Sequence, residues 1–167
     1  MRRSITSIKT DRLWLRQIDE TDAEAIVDIR SDKNVYKYFL NPVKISIDDH
    51  RRWYNEQYKN DDNRIDWIAV DDKSGDFIGI YGAKMVERNT AEVSYITKPD
   101  KQGCGYAKEA VEAIIRWCVD YWGVNSAIVT INKGNKRSIS FARHLEFRDC
   151  EEIACNRDFT VLRNTIK

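Results

Sequence analysis

Proline, histidine and glycine are scarce in this 167-residue sequence, at two, two and seven residues. Net charge is scarce as well: 28 Lys+Arg against 27 Asp+Glu leave +1. That balance argues against a dedicated nucleic-acid binder, which carries a strongly basic surface. No apolar run approaches the roughly 20 residues that span a bilayer, so no membrane partner is expected. The N-terminal Met1-Arg2-Arg3-Ser4-Ile5-Thr6 is basic but lacks a following apolar stretch, which argues against a signal peptide. Four cysteines (Cys104, Cys118, Cys150 and Cys155) include no C-x-x-C pair, and two histidines are too few to complete most metal sites. Neither zinc nor a disulfide framework is expected, and four reduced thiols in a cytoplasmic protein is the reading. Repeats, low-complexity tracts and Pro/Gly/Ser linkers are missing, so 1–167 reads as a single domain. What is present is 42% hydrophobic and 33% charged residues. A chain of this size and composition buries about two-thirds of its unfolded surface and is not disordered.

The patterning predicts an α+β chain. Residues 12–16 alternate apolar and polar, as a half-buried strand does. Thr21-Asp22-Ala23-Glu24 reads as a capping box opening a helix over 22–30. Ser46 opens a second helix with His50, Trp53, Tyr54 and Tyr58 on one face. Strands at 66–70, 77–85 and 90–97, separated by short turns, form an antiparallel meander. Ala107, Ala110, Val111, Ile114, Ile115, Cys118 and Trp122 then recur at helical spacing, Glu112 and Arg116 form an i,i+4 pair, and Gly123 stops the helix. A buried strand at 127–131, a helix at 136–145 and a closing hairpin of 147–155 with 159–164 complete the order. The segment 90–131 is therefore a βαβ unit.

The segment Gln102-Gly103-Cys104-Gly105-Tyr106-Ala107 joins a strand to the strongest helix. Glycines there admit close approach of a ligand, and a helix N-terminus favours an anion such as pyrophosphate. The competing reading is a plain glycine-rich turn. No G-K-[ST] follows, so it is not a Walker A loop. The strand before it closes a meander, so it is not a Rossmann loop.

The run Ala91-Glu92-Val93-Ser94-Tyr95-Ile96, with this loop and Lys108-Glu109-Ala110, resembles motif A of the GNAT superfamily of acetyl-CoA-dependent N-acetyltransferases. Gln102, Gly105 and Ala107 match its Q/R-x-x-G-x-G/A loop. Asn135-Lys136-Arg137-Ser138, followed by Phe147, fits the family's N-x-x-S…G-F segment. The resemblance implies a GNAT fold: a central mixed, mostly antiparallel sheet of six to seven strands flanked by four helices. That sheet would splay between 90–97 and 127–131 to admit pantetheine. The implied acetyl-CoA contacts are the backbone of Tyr95, Ile96 and Thr97, the loop residues Gln102, Gly103, Cys104, Gly105, Tyr106 and Ala107, and Asn135 with Ser138. The implied reaction is direct attack of a primary amine on the thioester in a ternary complex, with no acyl-enzyme and no metal. Two positions depart from the family pattern. Ala142 stands where many members carry a tyrosine acid, and Glu146 stands where the family usually has glycine.

Glu92 is the candidate base, alone or through a water; otherwise it is a solvated strand residue or half of a cross-strand ion pair. Ser138 is the candidate proton donor to the leaving thiolate, as proposed for ribosomal-protein acetyltransferases; otherwise it belongs to the helix cap. Cys104 reads as a variable loop position, His50 as packing beside Trp53, and His144 as surface. The family builds its acceptor site from the first helices and the closing hairpin, here Tyr36, Tyr38, Trp53, Tyr54 and Phe159, although aromatics at helical spacing are usually core. The 46–54 stretch resembles nucleotide-sugar amine acetyltransferases, and Arg51-Arg52 would meet a phosphate. The competing acceptor is a protein N-terminal amine, as in the RimJ/RimL-like branch. A non-catalytic acyl-CoA-binding module is the reading from another class. The expected assembly is a monomer or homodimer. Charge is segregated: residues 98–108 sum to +2, 131–144 to +4 and 60–76 to −4.

Overall fold

The computed structural model describes residues 6–150 and 157–166. Its strands are β1 (Ile8–Lys9), β2 (Leu13–Gln17), β3 (Arg64–Asp71), β4 (Phe77–Glu87), β5 (Thr90–Thr97), β6 (Ser126–Asn132), β7 (Arg148–Asp149) and β8 (Phe159–Thr165). Its α-helices are α1 (Ala23–Arg30), α2 (Lys33–Tyr36), α3 (Ile47–Glu56), α4 (Tyr106–Trp122) and α5 (Lys136–His144). The strands form one sheet in the order β1-β2-β3-β4-β5-β6-β8-β7. Eight strands exceed the expected six to seven, and five α-helices exceed four. The unforeseen β1 has two residues and α2 has four, too few to leave a periodicity. The strand expected over 147–155 is present as Arg148–Asp149, paired antiparallel with β8; residues 151–156 and Cys155 lie outside the described residues.

Local chemistry explains most boundaries. The first helix is capped two residues earlier than expected. Asp19 and Asp22 form the reciprocal box around a 3-10 turn, Glu20–Asp22, that runs into α1. Arg16 decides this, gripping the buried Asp22 carboxylate with two hydrogen bonds of 2.8 and 2.6 Å. α3 begins at Ser46 as predicted, with Ser46 and Asp49 capping each other. Gly123 ends α4 at φ 66°. Glu112 pairs with Lys108 at 3.9 Å, the other i,i+4 choice to Arg116.

The sheet is covered on both faces. Along β3, Trp67 and Ala69 pack into the cluster under α4, whereas Ile68 and Val70 join the smaller cluster with Ile26, Tyr54 and Tyr58. Trp67 is fully buried and meets Trp117 of α4 edge-on at 5.4 Å. Every strand pair is antiparallel except β5 with β6, which α4 connects in parallel. That pair holds only Thr90↔Ser126, Ala91↔Ala127 and Glu92↔Ile128. On its other side β5 stays paired with β4 as far as Thr97. Residues 93–97 therefore have no strand partner on that side among the described residues, and the expected splay opens just after Glu92.

Candidate active site

The open edge of β5 faces the start of α5. The Tyr95 hydroxyl lies 2.9 Å from the Ser138 hydroxyl, and its ring meets Phe141 edge-on at 5.0 Å. Asn135 caps α5 by accepting the Ser138 N–H at 3.1 Å. The fold thus brings Tyr95, Asn135 and Ser138 to one side of the gap. Burial pushes the Tyr95 phenol up, with the Ser138 bond opposing it. Glu146 terminates α5 at φ 64°. Its N–H bonds Arg143 O and the Phe147 N–H bonds Ala142 O, a Schellman end that glycine would form without strain.

The 102–105 loop lies between β5 and α4. Gly103 and Gly105 both have positive φ, 78° and 81°. Gly105 is the N-cap of α4 and provides no side chain, so the amides of the first turn are left for another acceptor. Gln102 ties the loop to both sides of the gap. Its Nε2 donates to Thr97 O at 3.1 Å, and its Oε1 accepts from Arg137 Nη1 at 2.6 Å. Arg12 braces the loop from behind, donating to Cys104 O at 2.9 Å and to Glu109 at 2.7 Å, and lying over the Tyr106 ring. Tyr106 donates to Asp71 at 3.1 Å. Cys104 is exposed, and its thiol contacts only Gln102 O at 3.7 Å. Arg12 was not expected here. Arg137 sat within the +4 run, whereas nothing near Arg12 in sequence points to a loop 92 residues away.

The other face of β5 carries Glu92, Ser94 and Ile96. Glu92 accepts from Thr130 Oγ1 at 2.6 Å, across the mouth of the gap. Its register partner Lys84 pairs with Asp61 at 3.6 Å, so no cross-strand ion pair forms at Glu92. Ser94 and Ile96 line a small cavity with Arg30, His50, Trp53, Arg64 and Asp66. His50 is buried against Trp53, 5.4 Å between rings, and burial followed by the Arg30 charge pushes its pKa down. Tyr54 is buried against Tyr58 and does not line this cavity. A larger cavity of about 400 Å³ lies beside the end of β6, between Phe39, Asn132 and Phe159. Tyr36, half-buried at the end of α2, lines neither cavity, and Tyr38 lies beside Lys37. Among the described residues no cluster of His, Cys, Asp and Glu is arranged to hold a metal.

Comparison with known proteins agrees with this architecture. A family model described as an acetyltransferase (GNAT) domain matches residues 12–148. The uncharacterized protein YkkB of Bacillus subtilis (strain 168) is 30% identical over 155 residues, 84% of each chain. The fold superposes on a spermidine N-acetyltransferase from Vibrio cholerae in complex with CoA and spermine, with a TM-score of 0.77 and 20% identity over 92% of this chain and 94% of that one. It also superposes on RimL, a ribosomal L7/L12 alpha-N-protein acetyltransferase in complex with coenzyme A, with a TM-score of 0.79 and 15% identity over 96% and 98%. These two likenesses establish the shared fold. With its sheet splayed above an uncapped helix N-terminus and the family model matched along most of its length, the chain belongs to the GNAT family of N-acetyltransferases.

Proposed function

We propose that this enzyme transfers the acetyl group of acetyl-CoA to the primary amine of a small molecule such as a nucleotide amino sugar, or to a protein N-terminal amine. The observation that carries the donor site is the end of β5–β6 pairing at Glu92. Backbone groups along Tyr95, Ile96 and Thr97 would hold pantetheine as an added strand would be held, apart from Thr97 O, which accepts from Gln102. The amides of 103–107 suit a pyrophosphate at the α4 N-terminus, with Gln102 and Arg137 beside it. Asn135 and Ser138 border the pantetheine arm. The donor supplies an activated acyl group, so no nucleophile of this chain is needed.

The protein's tasks are proton handling and positioning. A lysine-like amine with pKa about 10.4 must give up about 4.6 kcal/mol to become neutral at pH 7, whereas an α-amine needs only about 1 kcal/mol. Glu92, at the mouth of the gap, takes that proton directly or through a water. Ser138 stands in for the tyrosine absent at Ala142: its hydroxyl, oriented by the Tyr95 hydroxyl at 2.9 Å, hydrogen-bonds the departing sulfur, which ends protonated by the proton that the attacking nitrogen loses. His50 and Trp53 border the acceptor cavity.

Isothermal titration with acetyl-CoA tests the donor site, and thiol release over amino sugars, polyamines, antibiotics and peptides tests the transfer. Absence of acetyl-CoA binding overturns the proposal. Tight binding without release across that screen makes the chain an acyl-CoA-binding module.

A further inference from the structure

The cavity on the outer face of β5 has an unusual charge balance. Arg30, the last residue of α1, projects into it with Nε inaccessible to solvent and without any hydrogen-bond partner. Its guanidinium lies over the Phe39 ring at 5.2 Å and forms no ion pair among the described residues. Arg64 of β3 also lines it, its Nε on Asp66 Oδ2 at 2.9 Å and its guanidinium over Trp53 at 5.0 Å. Asp66 is the only carboxylate lining the cavity among the described residues. The nearby Asp22 is held by Arg16. Burial lowers the pKa of both His50 and Arg30; at Arg30 the Arg64 charge adds to the effect and the Asp66 charge opposes it. Two guanidiniums thus face one carboxylate. An unpaired donor in a half-buried cationic group is destabilising by itself. A ligand anion would remove that penalty by accepting from both arginines.

The space is shaped for a headgroup. Gly82 lies between Asp66 and Ser94 in the sheet register. A Cβ on Gly82 would come within 2.2 Å of Asp66 Oδ1 and 2.8 Å of Ser94 Oγ, so glycine there leaves room for those two side chains, which line the cavity. The free volume is about 50 Å³, room for about one or two waters or a single carboxylate-sized or phosphate-sized group. The larger cavity beside β6 carries the same sign, with Lys37, Lys133 and Arg157 against Asp158.

We infer that the acceptor amine carries a carboxylate or phosphate group, and that this anion seats between Arg30 and Arg64 while the amine faces the gap at Glu92. The inference rests on the acetyltransferase reading of this site and narrows its acceptor. It excludes polyamines, whose added positive charge would meet an already cationic cavity.

Two measurements on the full chain test it. Thiol release is compared within matched pairs, glucosamine 6-phosphate against glucosamine and serine against ethanolamine, with spermidine alongside. The anionic member of at least one pair is expected to show kcat/KM higher by about tenfold to a hundredfold, and the responsive pair identifies phosphate or carboxylate. Arg30→Gln should bring that ratio towards one, and Arg30→Lys should restore part of it. Equal turnover within both pairs, or a preference for spermidine, overturns the inference. Separately, inorganic phosphate is titrated into the protein with and without CoA, followed by NMR. Saturable shifts at Ser94 and Trp53 are expected, weakened about tenfold in Arg30→Gln, whose thermal stability should not fall. No binding, or equal binding in the variant, overturns the inference whether or not any amine is acetylated. Failure of acetyl-CoA itself to bind would overturn the acetyltransferase reading and leave the phosphate titration to decide the anion site.

Discussion

Two single residues carry separable consequences. Glu92 is half-buried at the point where β5 leaves β6, held by Thr130 rather than by a cation. Glu92→Gln keeps that hydrogen bond geometry but cannot take a proton. A drop in kcat of about a hundredfold is expected, largest at low pH where the acceptor amine is most protonated. An unchanged pH–rate profile would remove Glu92 as the base. Glu146, at φ 64°, holds a left-handed conformation that an L side chain adopts at a cost of about 1–2 kcal/mol. Glycine has no such strain but loses more chain entropy on folding. Glu146→Gly should therefore raise unfolding stability by about 0.5–1 kcal/mol, read as a higher urea midpoint at constant slope. A lower midpoint would mean that the Schellman end is not strained. The departure at position 146 was visible in the sequence as a missing glycine; its backbone angle was not.

At the scale of elements, capping sets both boundaries and acid sensitivity. Asp19 is held below the usual carboxylate range by the Thr21 hydroxyl, then by the Thr21 N–H. Asp49 is held down by the Ser46 hydroxyl and N–H, and Asp71 by the N–H groups of Ser74 and Lys73 despite an opposing burial effect. Because these folded-state values are lowered, their stabilisation is present above the unfolded pKa of about 3.9 and is lost as pH falls through the folded values. Thermal unfolding should thus move down progressively below about pH 4. His50 acts in the same direction higher up. Its lowered pKa favours the neutral ring, so stability is lost as pH falls below the unfolded value of about 6.5. A His50→Gln variant should show a flatter melting temperature between pH 7 and 5, and an identical slope in both proteins would remove His50 as a contributor. The α3 cap was legible because Ser46 and Asp49 are three apart. The α1 cap was misplaced because Arg16, on another element, selects Asp22 over Glu24.

Over the whole molecule, charge segregation gives the donor a direction of approach. The segments 98–108 and 131–144, at +2 and +4, border the loop and the gap, while 60–76 at −4 runs along β3 and its flanking turns. CoA association should therefore weaken as salt rises, by about tenfold in Kd between 20 and 500 mM, since the Debye length shrinks to a few ångströms. A salt-independent Kd would mean that backbone contacts alone hold the phosphates. The meander, the α4 helix and the 102–107 loop were readable in the sequence because each rests on local periodicity, turn residues or a short motif. Those signals need only neighbours within about one turn or one strand spacing. The cavity of Arg30, Arg64, Asp66 and Ser94 was not readable, since its residues come from α1, β3 and β5 and none forms a motif with another. The sequence by itself determined most of the elements and the glycine-containing loop that leads into α4. Only the tertiary structure decided where β5 and β6 part and which arginine is left without a partner, because strand register and burial depend on residues tens of positions apart.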